Sequence, residues 1–154
     1  MAWITPKTDW TDTYDDSGHY IGAYVNYTDY NRIKNNLVII HDLAVQMYHD
    51  IPDLHVGDDK HAIDRSNPDY ENDNFFADEF NAIEDGIYEI DKKMTFIDFG
   101  AKKTFYDNGY FINATELNRL ERTELSMYDI LTNAVNGKLH LPFTLGMQGN
   151  DIRP

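Results

Sequence analysis

Thr28–Tyr48 reads T-D-Y-N-R-I-K-N-N-L-V-I-I-H-D-L-A-V-Q-M-Y, and this stretch decides the fold class. Tyr30, Ile33, Leu37, Ile40, Ala44 and Met47 recur at steps of three and four, the spacing that puts side chains on one side of an α-helix. Val38, His41, Val45 and Tyr48 widen the stripe, so the helix is expected to pack against two neighbours rather than along a narrow coiled-coil seam. Thr28 stands where an N-cap belongs, and Asp29 suits the positive end of the helix dipole. Asn31, three residues after Thr28, is placed to reach back toward the cap amide in the manner of a capping box.

The same opening formula returns downstream. T-E-L-N-R-L-E (Thr115–Glu121) aligns Thr115 with Thr28, Asn118 with Asn31, Arg119 with Arg32 and Leu120 with Ile33. D-E-F-N-A-I-E (Asp78–Glu84) keeps the acid (Glu79), the apolar step (Phe80, Ile83) and the asparagine (Asn81), with Ala82 in place of the arginine. Three helices with one internal repeat are therefore expected: residues 28–48, 78–94 and 115–136. In the second, Phe76, Phe80, Ile83, Ile87, Ile90 and Met94 form the stripe, with Gly86 inside it at some cost to helix stability. In the third, Leu117, Leu120, Tyr128, Leu131 and Val135 point inward, Glu121 and Glu124 narrow the stripe, and Asn136-Gly137 supplies a stop.

Between and around these helices the pattern changes. Residues 1–27 read as an extended arm with a turn at Asp15-Asp16-Ser17-Gly18, its Trp3 and Trp10 anchoring it on the body or on a neighbour. Residues 49–74 form a long acidic loop, a length that is uncommon in a compact domain unless functional or mobile. Residues 95–114 carry a hairpin signal, with Lys103–Tyr106 and Tyr110–Ile112 flanking Asp107-Asn108-Gly109. In residues 138–154, Leu139, Leu141, Phe143, Leu145 and Met147 alternate with polar or small residues, which is strand periodicity, confined to an edge by Pro142. Such a tail completes a neighbour's sheet or packs on its own bundle. The fold class is thus mainly α: a single domain of three amphipathic helices with a small β-hairpin and extended N- and C-terminal arms.

Composition narrows the function classes. The 154 residues are 42% hydrophobic, which argues for a folded core. Absence of cysteine removes disulfides, thiolate metal sites and cysteine nucleophiles. The start Met-Ala-Trp-Ile-Thr-Pro-Lys lacks the regions of a signal peptide and no apolar run approaches a membrane span, so a soluble protein made in a cytoplasm is expected, with no membrane insertion. Net charge is −14, from 27 acids against 13 bases, and no basic cluster is larger than a pair such as Lys102-Lys103; no nucleic-acid partner is expected of such a surface. Eleven tyrosines suit interfaces, where a rigid ring carries a polar handle, or simply an aromatic-rich core.

Chemistry is sparse. His55, Asp58, Asp59, His61 and Asp64 are the best metal candidates, yet neither His-Glu-x-x-His nor an EF-hand loop is present, and a solvated acidic loop is the preferred reading. None of Ser17, Ser66 and Ser126 stands in a nucleophile elbow. No catalytic residue, cofactor or metal is assigned. Asn26-Tyr27-Thr28 and Asn113-Ala114-Thr115 match glycosylation sequons but are better read as part of the repeated helix start. Arg32 and Arg119, cations in a first helical turn, either pair with Asp29 and Glu116 three residues earlier or clamp an incoming loop or partner subunit.

Y-D-N-G-Y-F-I-N-A-T-E-L-N-R-L-E (Tyr106–Glu121), with W-I-T-P-K-T-D-W (Trp3–Trp10) and Y-T-D-Y-N-R-I-K-N-N (Tyr27–Asn36), resembles a pattern in structural proteins of tailed bacteriophages of Gram-positive hosts: tail-tip, baseplate or fibre-associated proteins. The resemblance covers roughly residues 3–48 and 103–122, and departs from the pattern at Ala82 and across the acidic loop. It implies a non-enzymatic virion subunit, docking on copies of itself and on other tail or baseplate proteins. Trp3, Trp10, Arg32, Arg119, Leu139, Leu141, Phe143 and Leu145 are the candidate interface residues. The rivals are a module binding host receptor or cell-surface carbohydrate through Tyr70 and its loop, and a metal-dependent hydrolase using His55 and His61.

Overall fold

The computed structural model describes residues 2–22, 25–61, 75–94, 97–107 and 112–152, with side chains described as far as residue 137. Three helices dominate it: α1 (Tyr27–Met47), α2 (Ala77–Asp91) and α3 (Ala114–Ile152). The apolar stripe of α1 is the centre of the core, with Tyr30, Ile33, Leu37, Ile40 and Ala44 all fully buried. Phe80, Ile83, Ile87 and Ile90 of α2 and Leu117, Leu120, Met127 and Leu131 of α3 complete it. Met127 takes an inward place that the expected stripe did not include, while Tyr128 sits half-buried with Trp3 stacked on it, ring centroids 3.8 Å apart.

All three helices run in the same direction. Tyr30 meets Phe80 with ring centroids 5.7 Å apart, and farther along Leu37 lies against Gly86. On the other side Arg32 bonds Glu121, and Ile4, which continues down α3 from the Glu121 level, bonds Asn36. Equivalent levels of the repeat thus meet equivalent levels. Parallel helices need connections that retrace a helix length. The 21 residues of α1 span about 32 Å at 1.5 Å per residue, which about ten extended residues cover. The described parts of the segments between helices, residues 49–61 and 97–107, are these returns. Just past α1, Asp50 adopts a left-handed conformation (φ 61°) that aspartate tolerates, and the chain turns back.

The first arm (residues 2–12) runs antiparallel to α3, with contacts from Trp3–Tyr128 to Trp10–Asn118. The second (residues 49–61) runs antiparallel to α1, from Pro52–His41 to Lys60–Asn31. The third (residues 97–107) runs antiparallel to α2, from Lys102–Asp85 to Asp107–Ala77. Each helix therefore carries the arm that leads into the next helix, and the arm leading into α1 lies on α3. The helices and arms close a cycle. The first part of the acidic loop is accordingly an ordered return strip, while residues 62–74 lie outside the described residues.

Several sequence expectations change. The N-cap of α1 is Asn26, whose Oδ1 accepts from the Thr28 and Asp29 amides (2.9 and 3.2 Å) while the Asp29 carboxylate accepts from the Asn26 amide (3.1 Å). Asn113 stands at the equivalent place before α3 and accepts from the Glu116 amide at 3.0 Å. The repeated Asn-x-Thr-acid is thus the cap itself, and Asn31 is released for another task. Among the described residues no hairpin is present near 107; residues 108–111, which hold Asn108-Gly109 and Tyr110, lie outside the described residues. Phe105, within the expected first strand, has its amide and carbonyl satisfied by a side chain of α2, so no strand partner is needed. Finally, α3 continues through residues 138–152 in place of a strand-like tail. Alternation from 139 to 147 also contains the i, i+4 set Leu139, Phe143 and Met147, so period two alone did not discriminate.

Candidate functional site

The repeated asparagine sits at the heart of each helix–arm seam. A primary amide carries one acceptor oxygen and a donor NH₂, so it can face a peptide unit as a neighbouring strand would. Asn31 donates to the Lys60 carbonyl and accepts from the Lys60 amide, both at 2.7 Å. Asn81 treats Phe105 the same way (2.9 and 2.7 Å), and Asn118 treats Trp10 the same way (both 2.9 Å). Three sequence-equivalent residues perform one operation on three arms. Asn36 adds a fourth clamp, on Ile4, at 2.7 and 3.1 Å.

One turn later the repeat places a charged residue against the same arm. In α3 this is Glu121, fully buried and bonded by four donors: the Lys7 amide (2.7 Å), Trp10 Nε1 (2.8 Å), and Arg32 Nε and Nη2 (2.9 and 2.7 Å). Those donors occupy the roughly four lone-pair directions of a carboxylate. In α2 the equivalent Glu84 accepts from the Lys103 amide at 3.2 Å and pairs with Arg119. Burial pushes the Glu84 carboxyl upward, and the Lys103 amide and Arg119 oppose it. In α1 the position is Lys34, a donor, and the arm presents an acceptor instead: the Gly57 carbonyl at 3.1 Å, with Asp59 beside it.

The arginines follow the cycle too. Arg32 of α1 reaches Glu121 of α3, and Arg119 of α3 reaches Glu84 of α2. Burial by itself would lower the Arg32 guanidinium, but Glu121 and Asp29 hold it above its ordinary value. The third bond of the cycle would join α2 to α1. There Ala82 replaces the arginine and Lys34 replaces the glutamate, so both partners are absent together and no buried charge is stranded. The arms also cap helices. Asp12 accepts from the Ala114 amide (3.2 Å) and Asp107 from the Ala77 amide (3.3 Å), each two residues beyond the clamped aromatic.

Glu124 breaks the pattern. It aligns with Leu37 and Ile87, is fully buried, and neither carboxyl oxygen has a hydrogen-bond partner. Burial, reinforced by the neighbouring Glu121 and opposed by Arg32, pushes its carboxyl well above the usual range and favours its neutral form.

The sequence-derived candidates fall into two groups. Trp10, Arg32 and Arg119 are engaged inside the chain, and Trp3 is packed on Tyr128. Both arginines make the expected pairs with Asp29 (2.9 Å) and Glu116 (2.7 Å), and Arg119 also donates to the Phe99 carbonyl of the third arm (3.3 Å). Leu139, Leu141, Phe143 and Leu145 lie on the continuation of α3. Of the metal candidates, Asp59 pairs with Lys34, which lowers its carboxyl, and Asp64 lies outside the described residues, as does Tyr70. Among the described residues no three acids or histidines converge as metal ligands. Open clefts are found among the described residues. One of about 640 Å³ is lined by Ile97, Asp98, Thr115, Arg119, Arg122 and Ser126, and one of about 370 Å³ includes His41, His55, Asp85 and Lys102. His41 bonds the Pro52 carbonyl at 2.8 Å, Lys102 pairs with Asp85, and Arg122 holds the Thr8 carbonyl at 3.0 Å, so much of their polar lining serves the arms.

The clamp residues Asn31, Asn81 and Asn118 belong to the repeat already visible in sequence, but their role was not. The signal was an asparagine followed at the third position by a charge inside an apolar stripe. A second signal was the arm motif Lys7-Thr8…Trp10-Thr11-Asp12 and Lys103-Thr104-Phe105-Tyr106-Asp107. No family model matches the chain, and neither a curated protein nor a solved structure matches it. No described helix is long and apolar enough to cross a membrane.

Proposed function

We propose that this chain is a non-enzymatic structural subunit of a phage tail, baseplate or related virion assembly, docking on copies of itself and on neighbouring tail proteins. The observation that carries the reading is the length of α3. By the repeat, Met47 at the end of α1 corresponds to Ala134, and residues 135–152 carry α3 about 27 Å farther at 1.5 Å per residue. That extension bears Leu139, Leu141, Phe143 and Leu145, apolar residues at the end of an otherwise acidic chain. The closed cycle of clamps supplies a rigid base for such a handle. The test compares the full chain with one ending after Asn136, by light scattering and by incorporation into particles. The full chain is expected as an oligomer that enters particles, and the shortened one as a folded monomer that does not. Equal mass and equal incorporation would overturn the reading.

A host-surface carbohydrate reading draws on one observation: Tyr106 and Tyr14 are 74% and 61% exposed. It predicts that the protein binds host cell-wall polysaccharide and that Tyr106→Ala weakens the binding.

A further inference from the structure

We propose that the cleft between α3 and the third arm binds a neutral oligosaccharide. The inference needs neither the assembly reading nor the exposed side chains of Tyr106 and Tyr14. At about 640 Å³ the cleft falls within the roughly 300–1,000 Å³ of small-molecule sites. One wall is a strip of α3 from Thr115 through Arg122 to Ser126, about 16 Å long at 1.5 Å per residue. Ile97 and Asp98 of the third arm form the other wall. Both walls are fixed from within the body: Asn81 clamps Phe105 of the arm, Arg119 donates to the Phe99 carbonyl, and α3 buries Leu117, Leu120 and Met127.

Hydrogen bonding divides the lining in two. Asn118 is committed to Trp10, and the Thr123 hydroxyl donates to the Arg119 carbonyl at 2.7 Å. Arg119 gives Nε to Glu116, Nη1 to the Phe99 carbonyl and Nη2 to Glu84. These groups belong to the fold. Arg122, by contrast, uses one Nη2 bond for the Thr8 carbonyl, and among the described residues the rest of its five N–H donors meet no acceptor. Among the same residues the Thr115 and Ser126 hydroxyls and the Asp98 carboxylate make no hydrogen bond or ion pair. Asp98 and Arg122 thus line one cleft from opposite walls without pairing with each other.

This remainder selects the ligand. Arg119 is balanced by Glu84 and Glu116, so the charges left in the cleft are one guanidinium and one carboxylate, whose sum is zero. An anion would meet Asp98 and a cation would meet Arg122, and neither gains a net attraction to offset its lost hydration. A hydroxyl both donates and accepts, so one kind of ligand group satisfies Asp98, Arg122, Thr115 and Ser126 alike. Because those partners are spread along about 16 Å of helix, the ligand must carry hydroxyls at intervals, as linked sugar rings do. The repeat uses the same place otherwise elsewhere. In α2, Asp85 is the counterpart of Arg122 and pairs with Lys102, Leu54 lies against Gly86, and the cleft is about 370 Å³. In α1 the counterpart Asn35 donates to Asp59 at 3.1 Å.

The experiment titrates ¹⁵N-labelled full-length protein with neutral trisaccharides of glucose, galactose, mannose and N-acetylglucosamine, with inorganic phosphate and spermidine as charged comparisons. At least one trisaccharide is expected to shift the Thr115, Arg122 and Ser126 amides saturably, and the charged probes are not. Asp98→Ala should weaken that binding about tenfold, the order of one hydrogen bond to a charged group. Ser126→Trp fills the cleft and should abolish binding. Both residues are exposed and unbonded, so both variants should melt with the original protein. If Ser126→Trp fails to fold, Asp98→Ala decides. Tyr106→Ala should leave the binding unchanged, which separates this cleft from the exposed tyrosines. No shift of these amides with any trisaccharide, tighter binding of phosphate or spermidine, or undiminished binding by the folded variants contradicts the inference. Each of those results leaves the assembly reading standing, just as a chain that never enters particles leaves the cleft's chemistry intact.

Discussion

Replacing Glu124 with leucine should make the protein more stable. The repeat supplies the logic, since Leu37 and Ile87 occupy the equivalent place in α1 and α2. The Glu124 side chain is fully buried with both oxygens unbonded. A buried polar group without a partner costs about 1–3 kcal/mol, and a buried leucine contributes about 1.5–3 kcal/mol. Allowing for imperfect repacking, Glu124→Leu should gain about 2–4 kcal/mol at neutral pH. The gain also has a pH signature. The folded carboxyl is raised above its ordinary 4.5, so the folded state holds a proton that the unfolded state releases. That contribution to stability is fully present below pH 4.5 and is lost as pH rises toward the folded value. Of the groups facing Glu124, Glu121 strengthens the effect and Arg32 weakens it. The variant's advantage should therefore be smallest in acid and widen upward, at no more than about 1.4 kcal/mol per pH unit for one proton. Urea unfolding of both proteins from pH 4 to pH 8 measures this. A leucine variant that is less stable, or an advantage independent of pH, would refute the account of a neutral, unpartnered carboxyl.

The other predictions concern the seams. Asn31→Ala, Asn81→Ala and Asn118→Ala should each cost about 2–4 kcal/mol, because each removes two bonds and leaves a peptide unit unsatisfied. Denaturant midpoints check this, and a loss confined to one of the three would contradict the common clamp. Lys34→Glu alone should destabilise, as it sets a carboxylate against the Gly57 carbonyl and the Asp59 carboxylate. Adding Ala82→Arg should recover part of the loss, with a favourable coupling of about 1–3 kcal/mol in a double-mutant cycle. Gly86→Ala should lose about 1–2 kcal/mol despite better helix propensity, because a methyl there meets Leu54 at 2.6 Å and Leu37 at 3.0 Å. Leu54→Ala in the same chain should relieve that clash, which thermal melts of the four combinations would show.

Helix type and core were legible because burial imposes a period. The stripe Tyr30–Ile33–Leu37–Ile40–Ala44 is written at helical spacing and is buried as written. Helix ends were less legible. Thr28 and Asn26 are both good caps, and only the backbone placement of the Asn26 oxygen against two amides chooses between them. The direction of the helices and the paths of the arms left little local trace. Their determinants pair residues far apart in sequence, such as Trp10 with Asn118, 108 positions away. Glu121 and Glu124 looked alike as interruptions of a stripe, yet one is bonded four times and the other not at all. Burial of a charge is visible in sequence only once its partners are known, and those partners came from α1 and from the first arm.

The cycle imposes an order on biosynthesis. The first arm leaves the ribosome before any helix, but its docking site on α3 is translated about a hundred residues later. At roughly 5–20 residues per second, the arm waits about 5–20 seconds with Trp3, Trp10 and their apolar neighbours uncovered. In a polysome many nascent chains wait together, so the interval in which arms are unclaimed coincides with crowding by sister chains.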